Sequence, residues 1–312
     1  MSASGGTKAI VAALLANMSI AVAKFVAAFF TSSSSMLAEG IHSVADSGNQ
    51  VLLLFGGKRA QRERTKTHPF GYGRERYFYA FVVAVVLFTI GAAFSLYEGV
   101  NKLMHPHDLS SPIWAFAVLI FAIIAEIFSF RTAIKESNAV RGNQSWYAFI
   151  RHSKSPELPV ILLEDLGALF GLVFALFGVT MTVVTGDPVW DAIGTLMIGV
   201  LLAVIAIVLA IETKSLLVGE GAAPDVEEQI RAALESAPEV ERVIHMRTLH
   251  LGPEELLVAA KIAVEHDDTA SQVAQGIDEA ERRIREAVPI ARVIYLEPDL
   301  YRQQTTPTTT AG

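Results

Sequence analysis

Residues 35–57 form a largely apolar stretch that nevertheless carries Glu39, His42, Asp46 and Asn49, at offsets of 0, 3, 7 and 10. At 3.6 residues per turn these four fall within an arc of roughly 80°, so a helix built from this stretch is polar along one face for nearly three turns. His42 and Asp46 stand one turn apart. Such an imidazole and carboxylate can reach one small cation together, or can hydrogen-bond and hold two helices against each other. A second apolar run, PVILLEDLGALFG, contains Glu164 and Asp165. Neighbours on a helix point about 100° apart, so the two carboxyls do not face one centre and one of them is open to a structural role. Gly167 and Gly171 make a small-xxx-small pattern that lets this helix approach a neighbour closely. Asn17, in the first apolar run, either joins such a site or hydrogen-bonds across helices, and Lys24 in the same run reads as a snorkelling side chain. Glu126, Glu98 and Asp191 read as local hydrogen-bond partners, with proton passage as their other use.

The elements that must position these residues are membrane helices. The chain has 312 residues, 52% hydrophobic and only 18% charged, with a mean hydropathy of +0.42. That is too apolar for an ordinary soluble protein. A hydrocarbon core about 30 Å thick needs roughly 20 apolar residues per helix, and six segments reach that length: 8–30, 35–57, 77–101, 112–134, 158–184 and 188–213. An even count puts both termini on one side. Lys58, Arg59, Arg62, Arg64, Lys66, Arg74 and Arg76 crowd one loop, and Arg131, Lys135, Arg141, Arg151 and Lys154 flank another on the same side. The opposite loops are nearly free of basic residues, so the positive-inside rule makes both termini cytoplasmic. One of those outer loops contains His105, His107 and Asp108, read as an exposed turn that is also able to collect metal. The N-terminal MSASGGTK runs straight into an apolar stretch longer than a signal-peptide core, read as a retained anchor.

Past Leu217 the hydropathy falls. Residues 1–213 hold 14 acids against 15 Lys and Arg, whereas residues 214–312 hold 18 against 10. Two solvents follow: a transmembrane domain over 1–213, a cytosolic domain over 214–302 and a disordered polar tail, QQTTPTTTAG, over 303–312. Within the cytosolic part, a helix over 225–236 follows Pro224, and strands over 243–251 and 256–265 flank the turn at Gly252 and Pro253. Thr269 with Gln272 forms a capping box that opens a helix to Ala287, and a last strand covers 291–296. The order α-β-β-α-β predicts a two-layer α+β unit. The acidic tail domain argues against nucleic-acid partners. Zero cysteines exclude disulfides and thiolate sites, so any metal is held by His, Asp, Glu, carbonyl or water. No HExxH and no phosphate-cradling Gly-rich motif occurs, which argues against a metallohydrolase, a nucleotide cofactor or an enzyme of either kind.

SSSSMLAEGIHSVADSGNQ, followed by HPFGYGRERY and later LLVGEGAAPDVEEQI, resembles the cation diffusion facilitator family over about residues 7–300. The pairing of AEGIHSVADSGNQ with VILLEDLGALFG resembles in particular the branch that contains the ninth human zinc transporter. The resemblance implies six transmembrane helices, a metallochaperone-like cytosolic domain, a homodimer, and a transport site with two ligands one turn apart on each of the second and fifth helices. His42 and Asp46 match the first pair and Asp165 matches the second member of the other. The remaining position falls on Ile161, which binds no metal, leaving a fourth place open to Glu164, Glu39, Asn49 or water. His68 matches a loop ligand, but Tyr72 stands where its companion would be. His245 matches a ligand of the cytosolic domain, while Lys261 and Tyr295 occupy two other ligand places and Glu297 can replace a carboxylate. One His and one Glu do not make a binuclear site. His250 and His266 read as surface residues.

The function these expectations point to is proton-coupled efflux of a divalent cation, zinc first, with Mn²⁺, Fe²⁺ or Co²⁺ as alternative cargo. Metal and protons compete for the same imidazole and carboxylates, which is sufficient for antiport without any cofactor. A channel would show several weak sites in place of one closed site. A metal-sensing or scaffold protein that has lost transport is the other alternative, because of Ile161. The expected setting is a bacterial cytoplasmic membrane.

Overall fold

A computed structural model of the chain describes residues 4–31, 34–106 and 112–301, with the side chains of 4–9, 31, 34–39 and 88 left out. His107, Asp108, the Glu39 side chain and the 303–312 tail therefore lie outside the described residues. The chain divides into two units, Met1–Val218 and Gly219–Gly312.

The apolar runs of the first unit fold as long helices, since within lipid only internally bonded backbone is stable. They are α1 (Ser4–Thr31), α2 (Ser34–Ala60), α3 (Glu75–Val86), a π-helical segment (Leu87–Ala93), α4 (Phe94–Met104), α5 (Pro112–Arg141), the short α6 (Trp146–His152), α7 (Glu157–Thr185) and α8 (Val189–Val218). The stretch from α3 to α4 is one continuous span, Glu75–Met104. Helix α7 starts just after Pro156 and ends at Gly186, whose φ of 72° is left-handed backbone that favours glycine. Among the described residues, five spans are long and apolar enough to cross a membrane: Ile10–Phe30, Glu75–Met104, Pro112–Arg141, Glu157–Thr185 and Val189–Val218. Helix α2 matches them in length with 27 residues, but its polar face and basic end remove it from that set by composition. The expected segments sit within helices apart from Pro188, which precedes α8, and several helices continue further, α5 to Arg141 and α8 to Val218. The π segment and α6, which begins with Ser145 Oγ accepting a hydrogen bond from the Ala148 amide at 3.1 Å, have no counterpart in the sequence reading.

The unit exposes large apolar side chains and buries polar and charged ones beside its hydrophobic core. Phe29, Ile113, Phe128 and Val204 stand exposed, whereas Asn17, Asp46, Asn49, Gln50, Glu126, Glu164 and Asp165 are buried. Water would penalise such an exterior and lipid rewards it, so this is an integral membrane domain. Close helix approach comes from glycine. A Cβ on Gly194 would lie 2.9 Å from the Phe174 carbonyl oxygen and 3.3 Å from Gly178 Cα, so α7 and α8 meet backbone to backbone. Ion pairs secure the helix ends: Lys102 Nζ to Asp191 Oδ2 at 2.8 Å between α4 and α8, and Arg76 to Glu157 between α3 and α7.

The second unit has α9 (Pro224–Glu235), β1 (Arg242–Gly252), β2 (Glu255–Ala263), α10 (Ala270–Ala287) and β3 (Ala291–Asp299), the α-β-β-α-β order expected. The sheet order is β1-β2-β3, antiparallel then parallel, the parallel pair requiring the α10 crossover. Alternation along β2 buries Leu256, Val258, Ala260 and Ile262 in one core with Ile230 and Leu234 of α9 and Ala280 and Ile284 of α10. The Thr269 capping box is formed, with Thr269 and Gln272 bonding reciprocally. On α10, hydrogen bonds from Arg282 and Arg283 lower the Glu279 carboxyl to about 2.

The backbone contact between α7 and α8 carries an expected outcome. Gly194→Val has no room and should lower the stability of purified protein by about 1–3 kcal/mol in thermal melts. Gly57→Ala, on α2 with nothing within 4 Å of the new Cβ, should leave it unchanged or raise it by up to about 1 kcal/mol.

Candidate functional site

The polar face of α2 turns inward. His42 Nε2 lies 3.4 Å from Asp46 Oδ2, one turn along, as the i, i+4 spacing dictates. Both border a small cavity of about 10 Å³, close to the minimum a single water needs. Asn17 and Lys24 of α1, Glu126 of α5, and Gly167 and Gly171 of α7 close it. The glycines let α7 come near enough for its backbone to form a wall.

Around this cavity the acids are separated by their donors. Asn49 Nδ2 donates to Glu164 Oε1 at 2.5 Å and Gln50 Nε2 donates to Glu164 Oε2 at 3.0 Å, so Glu164 ties α7 to α2. Asp165 turns the other way, as the 100° step requires, and accepts a hydrogen bond from Ser129 Oγ of α5 at 2.9 Å. Glu126 and Asp165 are each 1% exposed. Glu164 is within electrostatic reach of Asp46, Asp165 and Glu126, and Asp165 is within reach of Asp46. His42 Nδ1 and Asp165 Oδ1 are buried without a hydrogen-bond partner among the described residues, the kind of atom that a cation or a water satisfies.

Among the described residues, no three His, Asp or Glu side chains stand close enough together to hold one metal ion. His42 and Asp46 are brought together. Asp165 remains on its Ser129 partner, and Glu164 on Asn49 and Gln50. Ile161, at the place where the family resemblance expects a ligand, is fully buried in the hydrophobic core.

Residues 10–218 match the family model of the cation efflux transmembrane domain, and residues 222–299 match that of the cation efflux protein cytoplasmic domain. The chain belongs to the cation efflux family. Over 250 residues it is 32% identical to the proton-coupled zinc antiporter SLC30A9, mitochondrial, of Homo sapiens, an alignment covering 80% of this chain and 44% of that protein. The chain thus spans less than half the length of that relative. It is 23% identical to the manganese efflux system protein MneP of Bacillus subtilis, with 83% of this chain and 84% of MneP aligned. With the zinc transporter ZitB of Pectobacterium atrosepticum the identity is 25%, over 86% of this chain and 79% of ZitB.

In this member of the cation efflux family several residues depart from the sequence reading. Lys24 does not snorkel: it is 3% exposed and donates to Ser43 Oγ at 3.0 Å, because its face of α1 is turned toward α2. His250 is not a surface residue but 3% exposed, its Nδ1 lying 3.4 Å from the Gly252 carbonyl oxygen at the hairpin end. His68 stacks on Tyr72 at 4.6 Å between ring centroids, and its amide bonds Thr65 Oγ1, which makes this part of the loop a built turn. In the cytoplasmic-type unit, His245, Lys261 and Glu297 are cross-strand neighbours on β1, β2 and β3. Lys261 Nζ bonds Glu297 Oε1 and Asp299 Oδ2, each at 2.9 Å, and these hydrogen bonds raise its pKa above the ordinary lysine value. An ammonium therefore occupies the carboxylates that a metal would need.

Sequence reasoning passed over Ser129 and Gln50, whose signal is tertiary, and also Gly91. It lies in the π segment, and a Cβ there would stand 3.3 Å from both His42 Nδ1 and Leu202 Cδ1. π segments recur at functional sites because they re-aim one turn of helix. Gly91→Ala should push the imidazole by a few tenths of an ångström and weaken metal binding several-fold, measured by calorimetry on folded, monodisperse protein. Unchanged affinity would mean that the His42 ring has freedom the packing does not suggest.

Proposed function

We propose that the chain is a proton-coupled efflux antiporter for a divalent cation, Zn²⁺ first, with His42, Asp46 and Asp165 as its ligands. The observation that carries this reading is the pairing of His42 with Asp46 at 3.4 Å on the wall of a buried cavity that Glu126 also borders. An imidazole and carboxylates must lose protons to take a divalent ion, so cargo and protons exclude each other at one site. Facing the cytosol, where protons are scarce, the site loads metal; facing outward, protons displace it. A modest movement of α7 relative to α2 and α5 would exchange the Ser129 hydrogen bond of Asp165 for the shared cation. Glu164, already held by two amide donors of α2, acts as a strut between helices. Asn49 serves as its donor and water supplies the fourth ligand. The names of SLC30A9 and ZitB favour zinc and that of MneP favours manganese. His with carboxylates suits either ion, and Fe²⁺ or Co²⁺ as well.

The rest of the reading follows the same architecture. Helix α2 is the sixth span, tolerated in lipid because its polar face is turned inward, and both termini are cytoplasmic, in a bacterial cytoplasmic membrane. The transmembrane domain 1–213 passes into the cytosolic domain 214–302, and residues 303–312 form a tail. The cytosolic domain pairs with a second copy and lacks a metal cluster, since Lys261 takes the place of a ligand. No cofactor, enzymatic step or nucleic-acid partner is required. The alternative of a sensor or scaffold without transport rests on one observation, the fully buried Ile161.

Proteoliposomes separate the two. The wild-type chain should exchange internal protons for external Zn²⁺, Asp46→Ala and Asp165→Ala should fall to the rate of empty vesicles while remaining inserted, and Glu164→Gln should keep its affinity within a few-fold. Wild-type vesicles that move no metal would support the scaffold, and a Glu164→Gln loss as large as that of Asp165→Ala would make Glu164 a ligand.

A further inference from the structure

The cavity holds a basic group as well as acids. Lys24 is the one Lys or Arg among the described residues to be fully buried, and it borders the same small cavity as His42, Asp46 and Glu126. Its Nζ donates to Ser43 Oγ at 3.0 Å, and Ser43 follows His42 in α2. Asn17, seven residues earlier on α1 and hence on the same helix face, borders the cavity too. An ammonium in lipid surroundings is costly, and a mere helix tie between α1 and Ser43 would be made as well by a neutral amide. A full positive charge there acts directly on the acids that share the space, Asp46 and Glu126.

We propose that the Lys24 ammonium is a resident cation of the transport cavity. It balances Asp46 and Glu126 whenever the cavity holds no metal, and its charge opposes an arriving divalent ion, so that it sets affinity and the ease of release. A site of buried carboxylates with no such opposing charge would hold its cargo more tightly and give it up to protons more slowly. Lys24 is thus a tuning residue that touches no metal and acts through the field at His42 and Asp46. The inference rests on the transport-site reading above, and the experiment keeps the two apart.

Zn²⁺ binding is measured by calorimetry on the full-length protein in detergent, for wild type, Lys24→Gln, Lys24→Met and Lys24→Arg, with Asp46→Ala as the reference without a site. Removing a like charge several ångströms from a divalent ion in a poorly screened interior should tighten binding by about tenfold or more in Lys24→Gln and Lys24→Met, while Lys24→Arg stays within about threefold of wild type. Outward release in vesicles should slow in the two neutral variants. Lys24→Gln retains a donor toward Ser43, so it remains informative if Lys24→Met folds poorly. A Lys24→Gln affinity equal to or weaker than that of wild type would overturn the proposal and leave Lys24 a tie between α1 and α2. Wild type binding no more Zn²⁺ than Asp46→Ala would instead remove the transport-site reading, and this inference with it.

Discussion

Four carboxylates, those of Asp46, Glu126, Glu164 and Asp165, are buried together inside a domain whose exterior is made for lipid. An isolated ionised carboxylate in such a setting costs several kcal/mol even after relaxation, and neighbouring like charges add to that. The arrangement is stable only if protons, donors or cations compensate it. Among the described residues, the compensation includes two amides on Glu164, one hydroxyl on Asp165, an imidazole on Asp46 and the Lys24 ammonium at the cavity wall. What remains is a demand for positive charge that protons or a divalent ion can meet in turn, and that alternation is the physical root of the proposed antiport.

The packing of the domain follows from keeping this cluster away from lipid. Helices α1, α2, α5 and α7 turn their polar residues toward one another, and glycines on α7 and α8 bring these two helices into backbone contact. The π segment between α3 and α4 places Gly91 directly against His42, so the ring has a flat wall without a side chain in front of it. The Lys102–Asp191 and Arg76–Glu157 pairs secure this same span at its two ends, one to α8 and the other to α7. A span secured at its ends and re-aimed in its middle is well suited to small adjustments near His42 without loss of the bundle.

Much of this was legible in the sequence wherever periodicity or charge placement carried the signal. The inward face of α2 was readable because His42, Asp46 and Asn49 repeat at helical spacing against an apolar background, and the divergence of Glu164 from Asp165 followed from the helix angle alone. The α-β-β-α-β order was readable from Pro224, the Gly252–Pro253 turn and the Thr269 capping box. The partners were not readable. Ser129 is an ordinary serine in an apolar helix until Asp165 is seen opposite, and Gln50 acquires its role only through a residue more than a hundred positions away. Lys24 was misjudged because a lysine near a helix end normally reaches the membrane surface, and only packing shows which way its face turns. The burial of His250 goes with a distant backbone partner, the Glu220 carbonyl oxygen that accepts from its amide, and the π segment leaves no mark on hydrophobic periodicity. Tertiary compensation of charge is, in each case, a property of pairs that local sequence does not encode.

Competition of protons and a divalent ion for one cluster is measured by counting the protons released as Zn²⁺ binds to the purified chain, from calorimetry in buffers of different ionisation enthalpy at neutral pH. At least one proton should leave for each ion bound, in a number that falls as the pH is raised. Zinc binding with no proton release across that range would contradict it.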